Sequence, residues 1–134
     1  MDENQIAKVV VDTAIHLHKE LGPGLLESVY EAVLVYRLRE RGLEVRRQVP
    51  IPIKYANLCF DEGFRADVIV EGKLILELKC VERLHYSHRK QLLTYLRLSG
   101  LKLGLLLNFS ESLMHHGITR AVNQLVDDQE RSSS

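Results

Sequence analysis

The stretch from Arg65 to Lys79 constrains this chain more than any other. It runs Arg65-Ala66-Asp67-Val68-Ile69-Val70, then Glu71-Gly72-Lys73, then Leu74-Ile75-Leu76-Glu77-Leu78-Lys79. Apolar, partly β-branched segments flank a turn-like trio, so the pattern predicts two strands joined by a tight turn. Asp67, Glu77 and Lys79 are charged residues set inside these otherwise apolar runs. Strand side chains alternate faces, so Glu77 and Lys79 share one. A three-residue turn would put Asp67 directly opposite Glu77, with Cβ atoms roughly 4.5–5.5 Å apart. Two carboxylates that close repel unless positive charge lies between them. Lys79 supplies part of that charge. A divalent cation supplies more, and one or two carboxylates with completing waters describe a Mg²⁺ site. The plainer alternative is a solvated face of an edge strand, with Asp67 at a strand end.

The rest of the chain supplies elements around this hairpin. Asp2 and Gln5 have capping-box spacing. Ile6, Val9, Val10, Thr13, Ala14, Leu17 and Leu21 then recur at helical intervals up to Gly22-Pro23-Gly24. A second helix is expected from about Gly24 to Arg41, with Leu26, Val29, Val33 and Tyr36 as its core stripe. Glu27 and Tyr30 lie three apart on a neighbouring face. Arg37, Arg39, Arg41, Arg46 and Arg47 form either a solvated face or a phosphate-contacting patch. Val45–Tyr55 reads as a strand that Pro50 and Pro52 confine to an edge, and Leu58–Val70 as a strand with a bend at Gly63. Ser87 would cap a helix from His88 to Ser99, with Leu92, Leu93, Leu96 and Leu98 on its apolar side. Gln91 and Tyr95 project from one face of it, four apart. His85 and His88 have i, i+3 spacing that would suit a metal if helical. Leu101–Phe109 is a nearly continuous apolar run, as in a strand buried on both sides, so strand, helix and strand make a βαβ crossover. Ile118–Val122 fits a short strand or a helical turn. Residues 127–134 are a polar tail beyond a single domain of residues 1–126.

Bulk properties narrow the function classes. The chain has 134 residues, which suits one domain with one core. Its 18 basic and 18 acidic residues cancel, which argues against a non-specific nucleic-acid coat but not against a local basic patch. Cys59 and Cys80 are too few for a disulfide framework, and read as reduced, partly buried thiols of a cytoplasmic protein. No run reaches the roughly 18 apolar residues of a membrane span.

Gly24-Leu25-Leu26-Glu27-Ser28-Val29-Tyr30 is a complete GxxExxY motif, led by Leu21-Gly22-Pro23. With Arg65-Ala66-Asp67, Glu77-Leu78-Lys79 and the QxxxY-like Gln91-Leu92-Leu93-Thr94-Tyr95, the chain resembles the GxxExxY family. That family is a branch of the PD-(D/E)XK nuclease superfamily, and its QxxxY motif is that of RecB-like nucleases. Ala66 stands where the superfamily's name has proline. The resemblance spans roughly residues 5 to 123. It implies a restriction-endonuclease-like αβββαβ core, a mixed sheet flanked by helices. It also implies that Asp67, Glu77 and the Leu78 carbonyl hold Mg²⁺ or Mn²⁺, with Glu27 adding a carboxylate directly or through water. Lys79 would orient or deprotonate the attacking water, and Gln91 would hydrogen-bond Lys79, a water or the phosphate. Arg65 and His88 are candidate substrate contacts, Tyr95 would position Gln91 or meet a base, and Tyr30 is either a substrate contact or a packing residue and hydrogen-bond prop. The expected reaction is phosphodiester hydrolysis in DNA, by a chain that would cut both strands most easily as a homodimer. The alternative is a nucleic-acid-binding or assembly subunit that keeps the fold without turnover.

Overall fold

The computed structural model describes residues 1–125, so the expected tail at 127–134 lies outside the described residues. The first helix, α1 (Glu3–Leu21), starts at the anticipated capping box. Gln5 N–H donates to Asp2 at 2.8 Å, and Asp2 N–H donates to the Gln5 side chain at 2.9 Å. Two otherwise unpaired helix-start donors are thereby satisfied.

The second helix, α2 (Glu27–Glu40), begins later than Gly24 and presents a different face. Its buried residues are Tyr30, Glu31, Leu34, Val35 and Leu38. The expected stripe is therefore corrected, since Leu26 and Tyr36 are 73% and 64% exposed. Tyr30 fixes the rotation. Its ring stacks on Phe109 at 4.5 Å, and its hydroxyl donates to Gly22 O while accepting Leu25 N–H. One residue of offset turns a helix by about 100°, which carries the neighbouring stripe into the core.

Five strands follow: β1 (Val45–Tyr55), β2 (Leu58–Val70), β3 (Leu74–Lys79), β4 (Leu103–Asn108) and β5 (Ile118–Val122). Their order in the sheet is β1-β2-β3-β4-β5, with β3 and β4 parallel and the other neighbours antiparallel. Ile118–Val122 is thus a strand. The proline-bearing β1 is an edge, as proline requires. Its register with β2 shifts between Ile51 and Ile53. Gly63 sits in that irregularity, and a Cβ there would lie 2.0 Å from Ile53 Cδ1, so no larger residue fits unless Ile53 moves.

The β3–β4 crossover is made by α3 (Tyr86–Ser99). It starts two residues before His88, and His85 rather than Ser87 occupies the cap position. Leu92 and Leu96 are buried, whereas Leu98 is 48% exposed and lies off the expected apolar side. The sheet carries α1 and α2 on one face, over Val68, Val70, Leu74, Leu76, Leu78, Leu103, Leu105 and Leu107. The other face is covered by α3, over Phe64, Ala66, Ile69, Ile75, Leu106 and Ala121.

One irregularity decides where the charged residues go. Val45 and Val68 belong to the α1–α2 layer, but Val49 and Ala66, an even number of residues away, pack with the α3 layer. Simple alternation would keep them on one face. The ladder pairs Arg47 with Val68 and Val49 with Ala66, omitting the intervening Gln48 and Asp67. Gln48 has φ +49°, the left-handed conformation that a side chain disfavours. Both strands therefore exchange faces at the level of Asp67.

Candidate active site

The site grows from the point where β2 and β3 part. Their ladder runs Val70–Leu74, Ile69–Ile75 and Val68–Leu76. The connecting turn, with Glu71 and Gly72 at φ +53° and +62°, leaves three residues between the last paired positions. One step beyond Val68 and Leu76, side chains replace the backbone ladder. Leu78 N–H donates to Asp67 Oδ2 at 3.0 Å, and Asp67 N–H reaches Glu77 Oε1 at a long 3.4 Å. Each carboxylate thus crosses to the opposite strand, and the two are brought together as the hairpin register requires.

Glu77 is buried, 7% exposed. Burial pushes its carboxyl up to about 9, helped by the charge of Asp67 and by a hydrogen bond with that side chain. Asp67 N–H and the Lys79 ammonium act the other way. The upward shift favours a proton on Glu77 near neutral pH, as expected when two carboxylates share one site.

Glu27, at the first turn of α2, faces the same region. Partial removal of water pushes its carboxyl upward, most strongly; Lys79 opposes this, and Asp67 adds to it. The Cys80 backbone N–H draws it down, and Glu31 pushes it up slightly. From the other side, α3 contributes Tyr95 and His88. Tyr95 stacks on Phe64 at 3.9 Å, and burial, then Glu77, then Asp67 raise its phenol. His88 is held below the usual imidazole range by burial, then by Lys79 and His85. Its Nδ1 accepts the His85 backbone N–H at 3.2 Å. Gln91 is exposed on the same helix, one turn before Tyr95.

Of the expected substrate contacts, one is corrected and one has a partner outside the fork. Tyr30 is fully buried and braces the Gly22–Leu25 loop from within, so it cannot touch a substrate. Arg65 directs Nε and Nη2 onto the Glu62 carboxylate, at 2.7 and 3.0 Å, and both side chains are exposed.

Asn108, Glu31 and Gln48 help shape the site without standing in any of the sequence motifs. Asn108, fully buried at the end of β4, accepts Val81 N–H and Ser110 N–H and donates to Val81 O. With Phe109 N–H on Lys79 O, it fixes the backbone just after the lysine. The signal was a lone polar residue closing an apolar run. Glu31, Arg47 and Gln48 form a second cluster one turn along α2 from Glu27. The other arginines expected as a patch have separate partners: Arg37 with Glu20, Arg41 with Asp12, Arg46 with Glu44, and Arg39 on Val45 O.

Among the described residues, no three His, Cys, Asp or Glu side chains are grouped so as to hold a metal ion. The Asp67 and Glu77 carboxylates meet at the fork, and a carboxylate pair suits a hard cation retaining several waters. Among the described residues, no helix is long and apolar enough to cross a membrane.

In chain order, α2, β1, β2, β3, α3 and β4 are the αβββαβ core of the restriction-endonuclease-like fold, with its carboxylates where the central hairpin opens. Residues 4–121 match the family model of the PD-(D/E)XK nuclease superfamily. The chain belongs to that superfamily. No curated protein and no solved structure matches it.

Proposed function

We propose that the chain is a divalent-metal-dependent DNA nuclease of the GxxExxY branch, with its site at the β2–β3 fork. The observation that carries this reading is the Asp67–Glu77 pair brought together at the fork, with Asp67 N–H on Glu77 Oε1 and Leu78 N–H on Asp67 Oδ2, where burial and the Asp67 charge raise the Glu77 carboxyl. A fold needs no such conflict for stability, because a buried charge cluster contributes little net free energy. A hard divalent ion in the proton's place would relieve the same repulsion.

Asp67 and Glu77 would hold Mg²⁺ or Mn²⁺, with the Leu78 carbonyl, and with Glu27 bound directly or through water. When bound, the ion lowers the pKa of a water and neutralises charge developing on the phosphodiester. Lys79 presents its ammonium to the attacking water or to a phosphate oxygen, where three rotatable donors suit either. Gln91 donates to the same phosphate or to a water. Tyr95 steadies that side of the site through its stack on Phe64, and His88 lies close enough to meet the strand being cut. The free thiols of Cys59 and Cys80 agree with a cytoplasmic setting.

The test has two readouts. Mg²⁺ or Mn²⁺ should raise the melting temperature of the wild type but not of Asp67→Ala. Lys79→Ala, with folding retained, should lose about 10²–10⁴ of the metal-dependent cleavage of plasmid and oligonucleotides. No difference between wild type and Asp67→Ala in the melt sinks the metal site. Metal binding without cleavage across single- and double-stranded DNA and RNA favours the non-catalytic subunit.

A further inference from the structure

Among the arginines between Arg37 and Arg47, Arg47 is distinguished by its partner. Arg37, Arg41 and Arg46 pair with side chains that are each more than half exposed. Arg47 places Nε and Nη2, at 3.1 and 2.8 Å, on Oε2 of Glu31. The Glu31 side chain is 8% exposed, while that of Arg47 is 41% exposed. Gln48 Nε2 occupies the other Glu31 oxygen at 2.8 Å. The buried carboxylate is therefore fully engaged, and the guanidinium is held at one end with Nη1 left over.

The placement of this cluster follows from the face exchange. Arg47 is the β1 partner of Val68, next to Asp67, and points toward α2. Gln48, at its positive φ, is level with Asp67. Glu31 lies one helical turn from Glu27, about 5.4 Å of rise. The cluster thus lies on the α2 side of the sheet, level with Asp67 and one turn of α2 from Glu27, while Glu77 projects with Ile75 toward α3. A planar fork locked by a carboxylate loses little freedom when its remaining donors meet a phosphate oxygen.

We propose that Arg47, aimed by Glu31 and Gln48, grips a backbone phosphate of the nucleic-acid strand beside the one being cut. This rests on the nuclease reading above and adds a substrate contact to it. It also explains how a chain of zero net charge engages a polyanion: one preorganised cation beside the site takes the place of a broad basic surface.

The experiment uses fluorescence anisotropy of a short labelled DNA duplex and its single strand, in EDTA, over a range of salt. The double variant Glu31→Gln/Arg47→Gln keeps the net charge and amide-compatible hydrogen bonding. It should bind about tenfold more weakly and flatten the salt slope by about 0.9 on duplex or 0.7 on single strand. Glu20→Gln/Arg37→Gln, an equally neutral exchange of an exposed pair, should change neither. Should the first double variant melt below the assay temperature, Arg47→Lys is read instead, with a threefold or larger loss expected. Wild-type affinity and slope in a folded Glu31→Gln/Arg47→Gln, or wild-type affinity in Arg47→Lys, would overturn the proposal alone. Failure of the wild type to bind either DNA would overturn it together with the nuclease reading.

Discussion

Glu31 and Glu77 are buried to nearly the same degree, 6% and 7% exposed, in opposite company. Glu31 meets a guanidinium on one oxygen and an amide on the other. Glu77 meets a second carboxylate and takes up a proton. The first environment satisfies its charge. The second leaves a conflict that an added cation or proton must settle. Burial alone therefore does not mark a site. The sign of what faces the buried group does, which is why a strongly shifted acid in a fork of strands points to chemistry.

The largest expected effect breaks or keeps this contrast directly. Glu77 holds its proton in the folded chain up to about 9, against an ordinary 4.5. Between these values the folded state binds one more proton than the unfolded state. Its contribution to stability is complete below about 4.5 and is lost as pH rises through about 9. The slope is about 1.4 kcal/mol per pH unit, so metal-free protein should lose about 3 kcal/mol between about pH 6 and pH 8. Glu77→Gln should remove that slope, as measured by urea unfolding in EDTA. Equal slopes in the two proteins would mean that Glu77 is not the odd carboxyl of the pair.

The complementary change falls on Glu31. Arg47→Ala leaves a buried carboxylate with only Gln48, and should cost about 1–3 kcal/mol once the exposure of Arg47 is allowed for. Glu31→Gln/Arg47→Gln should cost less than Arg47→Ala, because no buried charge remains. Urea unfolding at one pH checks the order. If the double variant is the less stable, the pair contributes more than compensation of one buried charge.

Much of this arrangement was legible in the chain. The bounds of β1, β2 and β3 follow from apolar alternation, prolines and a turn trio, and the Asp67–Glu77 register from a loop length. What escaped has a common cause: it depends on contacts distant in sequence. The rotation of α2 is set by Tyr30 stacking on Phe109, from the far end of β4. Nothing local distinguishes Leu26 and Val33 from Leu34 and Leu38. The partners of the arginines come from α1, α2 and β1, so composition showed a basic run where the fold makes separate pairs. The face exchange at Gln48 rests on a left-handed residue that carries no glycine to announce it.

The smallest effect sharpens the distinction between a cation held by a buried carboxylate and one held by an exposed carboxylate. Arg65 is next but one to Asp67 in the chain, so proximity alone would make it a phosphate contact. Its Nε and Nη2 lie on Glu62 as those of Arg47 lie on Glu31, but Glu62 is 43% exposed where Glu31 is 8% exposed, and each group shifts the other toward its charged form. A guanidinium held only by an exposed carboxylate is not fixed in place, so it must still be ordered when it meets a phosphate. An exchange between exposed partners yields little. Arg65→Gln should therefore leave the melting temperature unchanged and weaken DNA binding less than Glu31→Gln/Arg47→Gln, by the same anisotropy measurement. A larger loss at Arg65 would reverse the ranking, and the phosphate path would run along β2 instead of between β1 and α2.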